Sequence, residues 1–299
     1  MKTLKLIIIT VFSAFMISSG AMAQDVILFG TSAEFCGNSE FGTGPGTLYI
    51  INPQTAATQE LGPIGFEGVT ALEMLDDGRL VGSASNDTED SKIAVLIQIN
   101  PFSGQGGLIG QIGDSDIEGE CGRAPGLTFD HTTDTLYSTG DNCENNDSFQ
   151  IINQNTGQGT IIGEHGFSAG GNGLARRADS TFFAINSDDL FTIDPDTGQG
   201  TFVAQVPNGF AYSALDFHPV TGELYGVRKD GTESFLFILN PENGDVTEIG
   251  QLPDCSDGLV FAEASARSIP TLSEWALIAM AGILGLVGYL AIRKRKAHA

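Results

Sequence analysis

Asp114-Ser-Asp116-Ile-Glu118-Gly119 sets three carboxylates at alternate positions ahead of a glycine. Alternate carboxylates that converge as a glycine turns the chain are how a loop gathers oxygen ligands for Ca2+. The twelfth position of such a loop needs a bidentate Glu, and here it is Pro125. Two more acidic stretches accompany this one, Asp87, Glu89 and Asp90, and Asp141, Glu144 and Asp147. Asp114, Asp116 and Glu118 are therefore the calcium candidates, and Ca2+ is the one cofactor suggested. The competing reading is solvated acidic loops and no cofactor.

Groups suited to catalysis are sparse, and no catalytic residue is assigned. The four histidines are scattered; His131 and His218 fall in comparable turns and His298 lies near the chain end. Glu67 and Asp257 are the weak candidates for the paired-carboxylate chemistry of glycoside cleavage. Their ordinary reading is solvent-facing loop residues. Asp130 and Asp216 recur at what reads as one position of a repeat, which points to turn capping. Arg123, Arg176, Arg177 and Arg228 would pair with acids or grip an anionic sugar, with salt bridging preferred.

Charge excludes several classes of partner. Between the N-terminal lysines and Ser268 the chain holds 36 acids and 8 bases, a net of −28. Such a surface repels nucleic acid and anionic lipid, and favours cations or cationic partners. The four cysteines are not arranged as Cys-x-x-Cys pairs, which argues against a thiolate metal site. In an exported chain they imply two disulfides, with three connectivities open by count alone.

The elements that must position these groups are strands. One signature recurs: an apolar strand, Asn or Asp, usually Pro, then a turn closing near Gly. It reads Leu48-Tyr-Ile-Ile-Asn52-Pro, Leu96-Ile-Gln-Ile-Asn100-Pro, Phe149-Gln-Ile-Ile-Asn153, Leu190-Phe-Thr-Ile-Asp194-Pro and Phe235-Leu-Phe-Ile-Leu-Asn240-Pro. The Asn/Asp positions are 48, 53, 41 and 46 residues apart. Pro presets φ, the Asx side chain bonds the turn backbone, and Gly supplies a positive φ. A second strand pair recurs between these hairpins, as in Gly126-Leu-Thr-Phe-Asp and Thr135-Leu-Tyr-Ser. Four strands per ~40–50 residues is the period of a propeller blade.

Val26-Ile-Leu-Phe-Gly opens the repeats at a second-strand position, and Gly258-Leu-Val-Phe-Ala closes them as an unmatched first strand. Joined, they complete one blade, so the expectation is an all-β, five-bladed β-propeller over residues 24–264. Ring closure leaves no long open edge. In that topology Cys121 and Cys143 flank one blade's first two strands, and Cys255 and Cys36 hold the same places in the shared blade. The expected bridges are Cys121–Cys143 and Cys36–Cys255, on the face that also collects the acidic loops. The pattern is similar to secreted bacterial propellers built on Leu-Tyr-x-Ile-Asp-Pro-x-Thr-Gly repeats, a family mostly without assigned activity.

Both chain ends speak of export. Lys2 and Lys5 precede the apolar Leu6 to Ile17, followed by Ala21-Met22-Ala23. That is a signal peptide over residues 1–23, cut between Ala23 and Gln24. After a spacer at 265–268 comes Ile269-Pro-Thr-Leu-Ser-Glu-Trp275, and then an uncharged run to Ile292. Trp275 to Ile292 makes about 27 Å of helix, just enough to cross a bilayer core of ~30 Å. Arg293-Lys-Arg-Lys296 would hold the stub in the cytoplasm. This tail, residues 269–299, resembles the IPTL-CTERM sorting signal of bacterial surface proteins. Ile269, Pro270, Thr271, Leu272 and Trp275 match, while Ala276 stands where the family usually has Gly. The resemblance implies an exosortase-type enzyme as partner, insertion in the inner membrane, and display at the cell surface or in extracellular matrix.

The sequence thus leads to a non-enzymatic, exported propeller that binds a glycan, a cation or a surface protein through its acidic face. An extracellular glycan or lactone hydrolase is the alternative, and a purely architectural matrix component a third reading. Nucleic acid is not an expected partner.

Overall fold

Five turns of one construction decide where the strands stop. Asn52, Asn100, Asn153, Asp194 and Asn240 each accept, through Oδ1, the N–H two residues on, at 2.9 Å in every case. The residue that closes each turn, Ala56, Gly104, Gly157, Gly198 or Gly244, has φ between 57° and 80° and donates its N–H back to the Asx carbonyl. Four of these five are Gly, as a left-handed backbone favours.

The structure, a computed structural model, describes residues 26–32, 35–36, 42–43, 45–88, 91–112, 123–141, 147–167 and 173–263. Outside them fall the proposed signal peptide, Asp114, Asp116, Glu118, Cys121, Cys143, and the whole tail with its motif and helix. The described residues are all-β and contain no helix. In chain order come β1 (Val26–Ser32), β2 (Phe35–Cys36), β3 (Gly42–Thr43), β4 (Pro45–Ile51) and the long β5 (Thr58–Met74). Next are β6 (Leu80–Thr88), β7 (Ser91–Ile99), β8 (Gly106–Gln111), β9 (Arg123–Asp130), β10 (Thr135–Asp141), β11 (Ser148–Ile152) and β12 (Gly159–Glu164). The last third holds β13 (Gly173–Arg176), β14 (Phe182–Asn186), β15 (Asp189–Ile193), β16 (Gly200–Gln205), β17 (Ala211–Phe217), β18 (Leu224–Asp230), β19 (Glu233–Leu239), β20 (Val246–Leu252) and β21 (Ser256–Glu263).

Three four-stranded antiparallel sheets, β9 to β12, β13 to β16 and β17 to β20, resemble the sheets of a propeller. A seven-stranded sheet, β21-β1-β4-β5-β6-β7-β8, is two more such groups sharing β5. The first part of β5 pairs with β4 and the last part with β6. Gly65 and Gly68, at φ 81° and 52°, lie where the strand passes from one ladder to the other. The chain ends meet in one sheet: β1 pairs antiparallel with β21, Leu28 facing Phe261 and Phe29 facing Val260.

Contacts between sheets run in a cycle. The inner strand β21 packs on β5, β5 on β9, β9 on β13, β13 on β17, and β17 on β21 again. Having sheets on both sides, β21 buries seven of its eight residues, whereas the outer β8 buries none. Apolar layers fill the spaces between sheets, for example Leu28, Ala214, Val227, Leu259 and Phe261. A second cycle runs outside, where each turn lies against the preceding sheet's outer strand. A Cβ added to Gly62, Gly110 or Gly163 would meet the carbonyl oxygen of Ser103, Thr156 or Thr197 at 2.4, 1.9 or 2.1 Å. One on Gly244 would lie 2.2 Å from Gln205 O, and Gly250 faces the Ala56 methyl.

Candidate functional site

The inner strands define two ends. At one end Val26 faces Glu263 and the chain termini leave; at the other Ser32 faces Ser256, next to Cys255. Cys255 is disulfide-bonded, has φ 59°, and is buried.

At the Cys255 end, Asp257 is not a solvent-facing loop residue as its sequence context suggested. It lies within β21, 7% exposed, with its carboxylate 3.0 Å from Lys229 Nζ on β18. Burial raises its pKa, and Lys229 and the nearby Ser213 hydroxyl offset only part of that. Ser213, itself buried, makes no complete hydrogen bond. Glu67, half-buried, lies in β5 where that strand changes ladders, opposite Pro45 and Ser85.

The termini end holds carboxyl groups that sequence reading missed or misplaced. Glu73 on β5 accepts the Met74 N–H at 2.7 Å and, through its other oxygen, the Phe129 N–H of β9 at 3.0 Å. Asp216 on β17 does the same, taking Phe217 N–H at 2.8 Å and Phe261 N–H of β21 at 2.6 Å. Both thus tie neighbouring inner strands together through backbone donors. Burial, then the charge of Asp216, raises the Glu73 pKa well above the carboxylate range. Burial pushes Asp216 up to about 7 against the pull of its two N–H donors.

Asp130 and Asp216 are not equivalent, contrary to the sequence expectation. Phe129 faces Leu136 and Phe217 faces Leu224, so Asp130 follows the matching residue while Asp216 precedes it. The true counterpart of Asp216 is Glu73, next to Met74, which faces Leu80. The motifs Thr-Phe-Asp and Leu-Asp-Phe differ by that shift, invisible without the ladder. Asp130 does cap its turn, accepting Thr132 N–H at 2.8 Å, and also holds Arg176 at 2.9 Å. Burial pushes its pKa up, but Thr132 and Arg176 outweigh burial and hold it low.

Two more of the basic candidates are engaged as well, while the Arg123 side chain lies outside the described ones. Arg177 bonds Asp179 and Glu242, and Arg228 bonds Glu248 while lying 3.9 Å over the Phe210 ring. His131 meets Asp76 at 2.6 Å, and His218 Nδ1 accepts two N–H groups of its own turn at 3.2 Å. His165 is different: it is 1% exposed, stacked 4.0 Å from Phe167, with neither ring nitrogen in a complete hydrogen bond. It follows an outer strand as Ile112 and Val206 do, and Leu252 ends β20 at the matching place; all three are buried and apolar. That register was readable in the repeats. Burial brings its pKa down to about 4. No group of three or more metal-ligating side chains occurs among the described residues. A cavity of about 730 Å³ opens at the termini end between Val26, Ile50, Pro53, Gln59, His218 and Val220.

Residues 267–294 match the IPTL-CTERM motif. No curated protein matches the chain. Among solved structures, a nidogen/laminin complex is 11% identical, covering 80% of this chain and 98% of that one, with a TM-score of 0.48. The periplasmic gluconolactonase of Pseudomonas aeruginosa is 13% identical over 77% of this chain and 68% of its own, with a TM-score of 0.43. A putative 6-phosphogluconolactonase of Bacteroides fragilis is 12% identical over 81% and 99%, with a TM-score of 0.45. None of these likenesses assigns a chemistry to the chain. The motif does speak to handling: it supports an exosortase-type sorting signal, and implies an exported, membrane-processed protein of the cell surface.

Proposed function

We propose that the chain is a surface-sorted, non-enzymatic binding module built on a five-bladed propeller. The observation that carries this is the engagement of the acids on the inner strands. Asp257 is held by Lys229, Asp130 by Arg176, and Glu73 and Asp216 by backbone N–H groups. Carboxylates so occupied are parts of a frame, and a rigid frame carrying variable loops suits recognition. Support for five blades comes from the two cycles of contacts and from the sheet shared by both chain ends.

On this reading the chain divides into a signal peptide (1–23), the propeller (24–264), a spacer (265–268) and the sorting segment (269–299). Trp275 to Ile292 crosses the inner membrane with the basic stub inside, until an exosortase-type enzyme acts. Termini at one end of the ring and Cys255 at the other turn the acidic loops away from the membrane. The same geometry favours the bridges Cys36–Cys255 and Cys121–Cys143. Ser32 faces Ser256 four residues before Cys36, and Asp141 faces Arg123 two residues short of each of the other cysteines. Calcium held by Asp114, Asp116 and Glu118 belongs to the same proposal; a melting temperature indifferent to chelator would remove it. The full chain, screened on glycan arrays and against extracellular proteins, should bind through the acidic loops and lose binding when they are neutralised. Unaltered binding after neutralisation would overturn this reading.

A second reading, an extracellular glycan or lactone hydrolase, draws on one observation. Burial raises the pKa values of Glu73 and Asp216, the direction a catalytic acid needs. Hydrolysis of polysaccharides or lactones that disappears in Glu73→Gln or Asp216→Asn, with folding intact, would establish it.

A further inference from the structure

The cavity of about 730 Å³ lies in the seam between the sheet shared by both chain ends and the β17–β20 sheet. One wall comes from the start of β1 and the β4–β5 turn, the other from the β17–β18 turn. Its volume falls in the ~300–1,000 Å³ range of pockets that enclose a ligand. Val26, Ile50 and Pro53 line it half-buried, and Val220 stands beside them 62% exposed. In a chain so acidic, none of the residues that line this cavity is Asp, Glu, Lys or Arg. Neutral amides, Asn52, Gln54 and Gln59, supply most of its polar groups. His218 Nδ1 accepts the N–H groups of Val220 and Thr221 at 3.2 Å, so the ring proton sits on Nε2, a donor. An uncharged apolar cleft edged with amides suits a short, uncharged, extended peptide. It offers no counter-ion to a sugar acid, a phosphate or a metal.

The chain carries such a peptide at the right place. Val26 faces Glu263, the last residue of β21, and the Phe261 ring lies 4.8 Å from the His218 ring. The strand that leads to the sorting segment therefore ends beside the cavity. Ile269-Pro-Thr-Leu-Ser273 begins six residues after Glu263, a reach of about 20 Å at ~3.3 Å per residue. Those five residues are uncharged, set between Arg267 and Glu274. A proline fixes its own φ and biases the residue before it towards extended backbone, which lowers the entropy lost on docking. Ahead of Val26, Gln24 and Asp25 are fewer and include a charge.

We infer that this cavity is a docking groove for residues 268–273 of the same chain, taking Ile269, Pro270 and Leu272 against Val26, Ile50, Pro53 and Val220. So short a tether gives the segment an effective concentration on the order of mM. An intrinsic dissociation constant on the order of 0.1 mM then keeps it docked about nine-tenths of the time. A sorting enzyme competes with the ring for the motif. The inference goes beyond the binding role proposed for the acidic loops and does not depend on it.

The test is native trypsin cleavage after Arg267 in the full chain in detergent, read by intact mass. Val220→Asp in the groove and Leu272→Ser in the tail should each speed that cleavage about tenfold at an unchanged melting temperature. Phe102→Asp, a like change at a residue 82% exposed in the β7–β8 turn, should leave the wild-type rate. A photoreactive phenylalanine in place of Val220 leaves the tail unaltered and should attach within residues 268–274 of the same molecule. Wild-type cleavage rates in both variants, or attachment to residues 24–25, to detergent or to a second copy, would overturn the inference.

Discussion

At the scale of single residues, this chain spends its buried polar groups on holding strands together. Lys229 and Asp257 show the cost of that economy. Removing the lysine leaves an enclosed carboxylate without its cation, a loss on the order of 3 kcal/mol. Lys229→Met should therefore lower the urea midpoint sharply, and adding Asp257→Asn should recover part of it. His165 makes the opposite case. An imidazole with neither nitrogen in a complete hydrogen bond occupies a place filled elsewhere by Ile112, Val206 and Leu252. Its pKa falls from 6.5 to about 4, so the folded state favours the neutral ring. The stability associated with that ring is present above pH 6.5 and lost as pH falls towards 4. His165→Leu should stabilise by about 1–2 kcal/mol at pH 7, and by more at pH 4, in chemical denaturation. Equal midpoints at both pH values would contradict this.

At the scale of elements, the Asx-to-Gly turn does two jobs with one set of atoms. Its side chain caps the hairpin, and its closing residue lets the next sheet come within backbone contact of an outer strand. Gly157 is the sharpest example, with φ 80° and Gly110 carbonyl atoms 2.7 Å from where a Cβ would stand. Gly157→Ala combines left-handed strain with a backbone clash, and should cost about 2 kcal/mol or more. Ala56 fills the corresponding turn at φ 57° because Gly250, opposite, leaves room for its methyl. The same substitution at Gly78, which has open space around it, should cost less than at Gly157. Urea melts of the two variants compare strain alone with strain plus contact.

For the whole molecule, closure depends on both chain ends entering one sheet. A covalent bond from Cys255 across that sheet would restrain nearly the whole exported chain, an ideal gain on the order of 5 kcal/mol. Peptide mapping without reductant should recover Cys36–Cys255 and Cys121–Cys143, and Cys255→Ser should lower the melting temperature. Any other pairing would refute the proposed arrangement of loops. Sorting belongs to this scale too. Pro270→Ala with Leu272→Ala should keep the exported protein in the membrane fraction at its full mass after the signal peptide is lost. Normal release of that variant would separate the motif from processing.

The sequence by itself determined the strands, their turns and the sharing of a sheet by Val26–Phe29 and Leu259–Phe261, because these follow from local chemistry repeated at regular spacing. Asx, Pro and Gly act within four or five residues, and apolar runs mark what must be buried. The tail was equally legible, since its motif is a contiguous string of residues. Only the tertiary structure decided which acids work together. Glu73 takes the Phe129 N–H of the neighbouring sheet, and Asp257 gains Lys229 from a strand paired elsewhere in the ring. Strand register set those meetings, and a shift of two residues between Asp130 and Asp216 changes the partner while leaving composition and period untouched.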